Sequence, residues 1–293
     1  VLIEPRDRFV FVPLLYELMS GELKGWEVAP DYASLLQGHG ISHLQDRAGS
    51  IDLDARSVTT ASGRALHYSQ LVIATGAQPE DFGIQGVRDN ALNFHTLSDL
   101  QPLQERVQEL RRRPSGTSSL VIAGAGATGV ELACKLVDML NGAATVQLVE
   151  LGDQILPRSK AFNREQAEKA LKKRGVTVHL NTKVESVTAT SVMLSGAQGS
   201  FQQNHDGLVW TAGSRPSIPD ISPKLELHQG RLPVTESLRL QGYPEVLALG
   251  DIAVNPDADE LSSWPHSAQA AIQQGQFAAR ELTAKLQDRD ANT

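Results

Sequence analysis

The stretch "SLVIAGAGATGVELACKLV" (residues 119–137) decides the fold. Its "LVIA" is apolar without polar alternation, the pattern of a strand covered on both faces. The run enters Gly124-Ala125-Gly126-Ala127-Thr128-Gly129, after which apolar residues recur at helical spacing. Gly124 suits a tight turn, Gly126 lets a pyrophosphate approach the backbone, and Gly129 lets helix and strand pack closely. The first N–H groups of that helix would face the phosphates. "TVQLVE" (145–150) is the next strand, and Glu150 stands about 20 residues beyond the turn, where a carboxylate accepts hydrogen bonds from a ribose 2′-hydroxyl.

Two more apolar runs end in glycine, "LVIATG" (71–76) and "VLALGD" (246–251). Leu100, Leu103, Val107 and Leu110 mark a helix over 98–112, and another covers 127–140. Strands alternating with helices predict a doubly wound α/β fold. A different texture fills 40–68 and 176–210, where "VTVHL", "KVESVT" and "SVML" predict small antiparallel strands and hairpins.

"VLIEPRDRFVF" at the start resembles "TVQLVELGDQILP": each is an apolar strand ending in a glutamate, then a turn. If Glu4 is the counterpart of Glu150, a first strand, glycine-rich turn and helix of about 30 residues would stand before Val1. Glu4 would then bind the ribose of a second nucleotide. Gly76 would let the backbone pass close to a ligand. Gly250-Asp251 closes its strand with a carboxylate at the sheet edge where open α/β sheets bind ligands.

A chain of 293 residues exceeds one ordinary core, so two domains are expected. With 41% hydrophobic and 21% charged residues the composition is that of a folded protein. The net charge of −7 and the lack of a basic face argue against nucleic acid. Arg111–Arg113, beside Pro114-Ser115-Gly116, reads as a solvated helix end. Cys134, the only cysteine, excludes an intramolecular disulfide or a Cys-x-x-Cys redox pair and reads as a small buried side chain. No G-x-S-x-G, His-Glu-x-x-His or zinc-ligand spacing occurs, so no metal site is expected and no catalytic acid or base is assigned.

The order of Glu4, "IATGAQP", "GAGATGVELA", "VWTAGSRP" (209–216) and "ALGD" resembles the two-dinucleotide-binding flavoproteins of the pyridine nucleotide–disulfide oxidoreductase type. There a nicotinamide domain is inserted in a flavin domain. The resemblance implies two doubly wound dinucleotide-binding domains with small antiparallel β insertions: residues 1–112 and 232–293 for FAD, and 113–231 for NAD(P)H. Without paired cysteines the chain does not resemble the disulfide reductase or peroxidase branches, which need a thiol acceptor.

"VPLLYELMSGEL" (12–23) and "SAQAAIQQG" (267–275) resemble type II NADH:quinone oxidoreductases. "RFVFVPLLYELMSGELKGWEVAP" and "SSWPHSAQAA" are most similar to the branch of oxygenic photosynthetic cells that includes demethylphylloquinone reductase. The implied reaction carries hydride from NAD(P)H to FAD and two electrons on to a quinone. The implied FAD-binding residues are Glu4, Gly76, Gly250, Asp251 and Ala268. Those for NAD(P)H are Gly124, Gly126, Gly129, Glu131, Glu150 and Gly213. Gln269 and Gln273, on one helix face, would bind the quinone; His266, adjacent to that helix, reads as a partly exposed pre-helix histidine ahead of the alternative that it approaches the flavin. Glu150 suits a free 2′-hydroxyl, hence NADH, whereas the photosynthetic branch is associated with NADPH as well; the choice stays open.

The resemblance further implies a cytoplasmic protein peripheral on an inner or thylakoid membrane, held by a region beyond Thr293, with a homodimer compatible. Without the first phosphate loop, these residues alone would retain FAD weakly. Rival readings are a flavin-dependent reductase of a protein acceptor and a redox-sensing dinucleotide-binding protein similar to apoptosis-inducing flavoproteins.

Overall fold

Leu120, Val121 and Ile122 are wholly buried, yet they serve two different cores. Leu120 and Ile122 join Leu103, Leu110, Leu132 and Leu136 on one side of their sheet. Val121 and Ala123 join Val149, Val192, Leu194, Leu208 and Trp210 on the other. A strand covered on both faces must be apolar at every position, which is why "LVIA" shows no alternation. The structure, a computed structural model, describes residues 1–157, 159–258, 264, 265 and 267–290. It divides into two compact units: Val1–Phe9, Asp31–Gln78 and Arg215–Thr293 in one, Val10–Pro30 and Pro79–Ser214 in the other.

The second unit is built on a five-stranded sheet in the order Thr177–His179, Ala144–Val149, Ser118–Ala123, Gly207–Trp210, Leu92–Asn93. Every neighbouring pair is parallel. The strand order turns back at Ser118–Ala123, and a doubly wound sheet binds ligands at such a switch point. Helix Ala127–Leu140 buries Leu132, Ala133, Leu136 and Leu140 against the sheet. Helix Leu97–Arg111 buries Leu100, Leu103, Val107 and Leu110, the spacing read from the sequence. Each such leucine contributes roughly 1.5–3 kcal/mol. A capping box starts that helix, with Asp99 Oδ2 accepting from Thr96 N at 2.7 Å. Strands Lys183–Val187, Ser191–Gly196 and Gly199–Asn204 form an antiparallel meander over the second core.

One expectation differs from these observations. Thr177–His179, read as part of the antiparallel texture, is a parallel edge strand of the main sheet. It follows the 13-residue helix Ala161–Lys173, and a helical crossover returns the chain parallel. The compact units are a division by packing, distinct from the expected cofactor-binding division at residues 112 and 231. Residues 10–30 and 79–112 pack with the second unit because Leu15, Met19, Leu103 and Leu110 share one core with Leu120.

In the first unit, Tyr243–Ala248 lies parallel to Leu71–Ile73 with Ala248 opposite Ile73. Leu249 N donates to Ile73 O at 3.1 Å, so the Gly76 and Gly250 ends lie on one sheet edge. Leu2–Ile3 pairs in parallel with His43–Leu44, and Ile3 packs on the cluster containing Ile73, Val246 and Ala248. A second sheet joins Ala48–Asp52, Ser57–Thr60 and Ala65–His67 antiparallel, with Asp220–Ser222 parallel at its edge. Helix Ala268–Asp290 sets Ala278 against Leu238 and Leu247.

Candidate functional site

The three loop glycines of the second unit meet different surroundings. A Cβ on Gly129 would overlap the Gly124 carbonyl oxygen and lie 2.8 Å from Thr211 Oγ1. One on Gly124 (φ +101°) would lie 2.8 Å from Ala212 N. Both are therefore glycine because the fold packs against them. Nothing lies within 4 Å of a Cβ on Gly126. Gly126 is the N-cap of helix Ala127–Leu140 and offers no side-chain hydrogen bond to the helix amides. Open space before an uncapped helix N-terminus suits a pyrophosphate.

Glu150 lies across this loop. Its Oε2 accepts from Ala125 N at 2.7 Å and its Oε1 from Gly152 N at 2.8 Å. The carboxylate is thus aimed by backbone amides, and each oxygen keeps a lone pair for a ribose hydroxyl. Glu131 is exposed on the same helix. The Tyr16 hydroxyl, from helix Leu15–Ser20, lies close enough to Thr128 and Glu131 to feel both side chains. Burial, and then the Glu131 charge, push that phenol above its ordinary value. The Tyr16 ring leans on Phe94 with centroids 4.9 Å apart. Gly213 has φ +74°, and its Cα is covered by the tip of the Phe82 ring.

In the first unit, Glu4 ends its strand and is clasped by Arg6. Arg6 Nε donates to Oε1 at 2.8 Å, Nη2 to Oε2 at 2.9 Å, and the Arg6 amide to Oε1 at 3.0 Å. Burial acts to raise the Glu4 carboxyl, but the Arg6 hydrogen bonds and charge prevail and hold it below its ordinary value. His43 Nε2 lies 2.9 Å from the Glu4 carbonyl oxygen. Gly76 (φ +67°) has open space where a Cβ would stand.

Gly250 (φ +74°) donates its amide to Gln274 Oε1 at 2.7 Å. A small recess there is lined by Gly250, Asp251, Trp264, Ala270, Ala271 and Gln274. Ala268, Gln269 and Gln273 are exposed on the adjoining helix, whereas Gln274 is only 9% exposed. Sequence reading passed over Gln274. Its signal was helical phase, since Ala270, Gln274 and Ala278 recur every fourth position on the buried side. His266 lies outside the described residues. Among the described residues no cluster of three or more His, Cys, Asp or Glu could hold a metal ion. Cys134 is half-buried, and burial raises its thiol.

Parallel sheets with glycine-closed strand tips and a carboxylate beside each define an α/β protein of the dinucleotide-binding class. The family described as "Pyridine nucleotide-disulphide oxidoreductase" matches residues 1–275, and the chain belongs to that family of oxidoreductases. It is 35% identical, over 99% of its length, to demethylphylloquinone reductase NdbB of Synechocystis, spanning 72% of that protein. It is 31% identical, again over 99% of its length, to alternative NAD(P)H-ubiquinone oxidoreductase C1 of Arabidopsis thaliana, spanning 62% of it. Among solved structures, sulfide:quinone oxidoreductase from Aquifex aeolicus superposes with a TM-score of 0.84 at 20% identity, covering 98% of this chain and 71% of that one. At that identity the likeness is one of fold.

Proposed function

We propose that this chain is the body of a flavin-dependent NAD(P)H:quinone oxidoreductase whose acceptor is a naphthoquinone such as demethylphylloquinone. The observation that carries the reading is the 124–129 loop, where Gly126 opens onto an uncapped helix end and Glu150 is aimed across it. The two curated relatives above, both named as quinone reductases, support the acceptor. Bound FAD and nicotinamide would supply the hydride and two-electron chemistry.

The chain's own residues bind and orient. Gly126 and the following amides hold the nicotinamide dinucleotide's pyrophosphate, and Glu150 accepts from its ribose. A carboxylate there repels a 2′-phosphate, which favours NADH. Glu131, beside Tyr16, sets the nicotinamide pose. In the first unit Glu4, kept ionised by Arg6, accepts from the flavin's adenosine ribose. Gly76, Gly250, Asp251 and Ala268 line the remainder of that cofactor's path. Gln269 and Gln273 present amides one helical turn apart to the quinone carbonyls. With Cys134 as the only cysteine, no intramolecular thiol pair relays electrons. No described helix is long and apolar enough to cross a membrane, so contact with a quinone-bearing bilayer would be peripheral.

The test is anaerobic. Flavin-loaded protein is mixed with NADH, bleaching of the flavin band is followed, and a naphthoquinone is added. Rapid bleaching and quinone-driven reoxidation are expected; absence of reoxidation would overturn the reading.

A further inference from the structure

Phe82 is an exposed aromatic ring in a conformation that exposed aromatics rarely adopt. It is 63% exposed and has φ +52°, in the left-handed region disfavoured for side chains with a Cβ. The segment around it is nevertheless tightly built. Phe82 N donates to Glu80 Oε1 at 3.0 Å, and Gly83 N to Asp81 Oδ1 at 2.9 Å. Arg88 Nη2 clasps Asp81 Oδ2 at 2.9 Å. Trp210 Nε1 donates to Glu80 O at 2.8 Å, fastening the turn to the end of strand Gly207–Trp210. Strained backbone that persists because its surroundings over-determine it is a mark of functional sites.

The ring meets Gly213 tip first. A Cβ on Gly213 would overlap Phe82 Cζ and lie 2.6 Å from Cε2. The ring stands with its tip on a bare Cα, and much of its surface remains open to solvent. Gly213 directly follows Ala212, whose amide abuts the Gly124 turn. In the sheet order, Glu150 ends the strand on one side of Ser118–Ala123, and Thr211–Gly213 continue the strand on the other. A dinucleotide with its adenosine on Glu150 and its pyrophosphate over Gly126 therefore brings its second base toward Gly213.

We propose that Phe82 is the side wall of the nicotinamide subsite, stacking on the nicotinamide ring and determining specificity at that end of the ligand. This rests on the reading that the second unit binds NAD(P)H. Gly213 then owes its identity to the wall it supports and need not contact the ligand itself. Aromatic stacking of this kind is worth roughly a three- to ten-fold change in affinity.

The experiment compares NAD+ with ADP-ribose, which lacks the nicotinamide, by calorimetric titration of the protein and of Phe82→Leu and Phe82→Tyr. The expected result is NAD+ binding weakened roughly three- to ten-fold in Phe82→Leu, near normal in Phe82→Tyr, with ADP-ribose unchanged in both. In NMR spectra, the upfield shift of bound nicotinamide protons should shrink in Phe82→Leu. Equal weakening of both ligands would mean a purely structural ring and overturn the proposal, as would unchanged NAD+ binding. If the unaltered protein bound ADP-ribose poorly, the dinucleotide reading itself would fall, and the wall with it. Normal ADP-ribose binding with unchanged NAD+ binding in Phe82→Leu would remove the wall alone.

Discussion

Glu150 Oε2 accepts a hydrogen bond from Ala125 N at 2.7 Å, joining the tip of one strand to the glycine loop that ends its neighbour. The carboxylate proposed to receive a ribose is thus also a brace for the loop proposed to receive the pyrophosphate. Replacing Glu150 separates charge from shape. Glu150→Gln keeps one acceptor oxygen but turns an NH2 toward one of the two backbone donors. Hydrogen bonds to charged groups are worth roughly 1.5–3 kcal/mol, so a measurable loss of stability is expected. The NADPH-to-NADH KM ratio should fall about ten-fold, since the charge opposing a 2′-phosphate is gone. Unchanged relative KM values would refute the assigned role.

The loop glycines divide into those that packing requires and one, Gly126, that faces open space and is proposed to serve ligand approach. Gly129→Ala drives a methyl into the Gly124 carbonyl, and overpacking of this sort costs roughly 1–3 kcal/mol. Gly126→Ala meets open space at φ −68°, which alanine tolerates, so stability should stay within about 0.5 kcal/mol. The methyl nevertheless occupies the approach to the helix amides, and NADH affinity should drop about ten-fold. Denaturant midpoints and NADH titrations on both variants decide the matter; equal effects on stability would contradict the division.

Gln274 and its exposed neighbour Gln273 should behave oppositely. Gln274→Ala leaves the Gly250 amide without its acceptor, at a cost of about 1–3 kcal/mol, and should loosen flavin retention. Gln273→Ala should leave stability within about 0.5 kcal/mol and raise the quinone KM. Flavin content after dialysis, with quinone kinetics, separates the two. Loss of flavin in Gln273→Ala but not Gln274→Ala would reverse the assignment.

The Arg6 clasp makes part of the stability pH-dependent. Glu4 has its folded-state pKa lowered from 4.5, so between that value and its folded value the unfolded chain binds more protons. The stabilisation is present above pH 4.5 and lost as pH falls through the folded pKa. Arg6→Gln should be less stable than the unaltered protein at pH 7, with the gap closing in acid. A gap that stays constant with pH would show that the clasp acts through packing alone.

The sequence by itself determined whatever depends on neighbours along the chain. A doubly covered strand must be apolar throughout, so "LVIA" declared itself. A helix repeats every 3.6 residues, so Leu100, Leu103, Val107 and Leu110 announced their buried face. A strand-to-helix turn around a phosphate needs glycines at fixed offsets, and 124–129 has them. The order of the glycine-closed runs also carried the family resemblance.

Only the tertiary structure decided which distant residues meet. Phe82 and Gly213 are far apart in the chain, and nothing local to either predicts that one ring would stand on the other's bare Cα. Thr177–His179 looks alike as a hairpin strand or a parallel edge strand, because a run of three alternating residues lacks the length to distinguish them. Nothing local to residues 10–30 reveals that Leu15 and Met19 pack in one core with Leu103, Leu110 and Leu120. Local conformational preference is written in short windows of sequence, whereas partner choice depends on complementary packing among segments that only folding brings together.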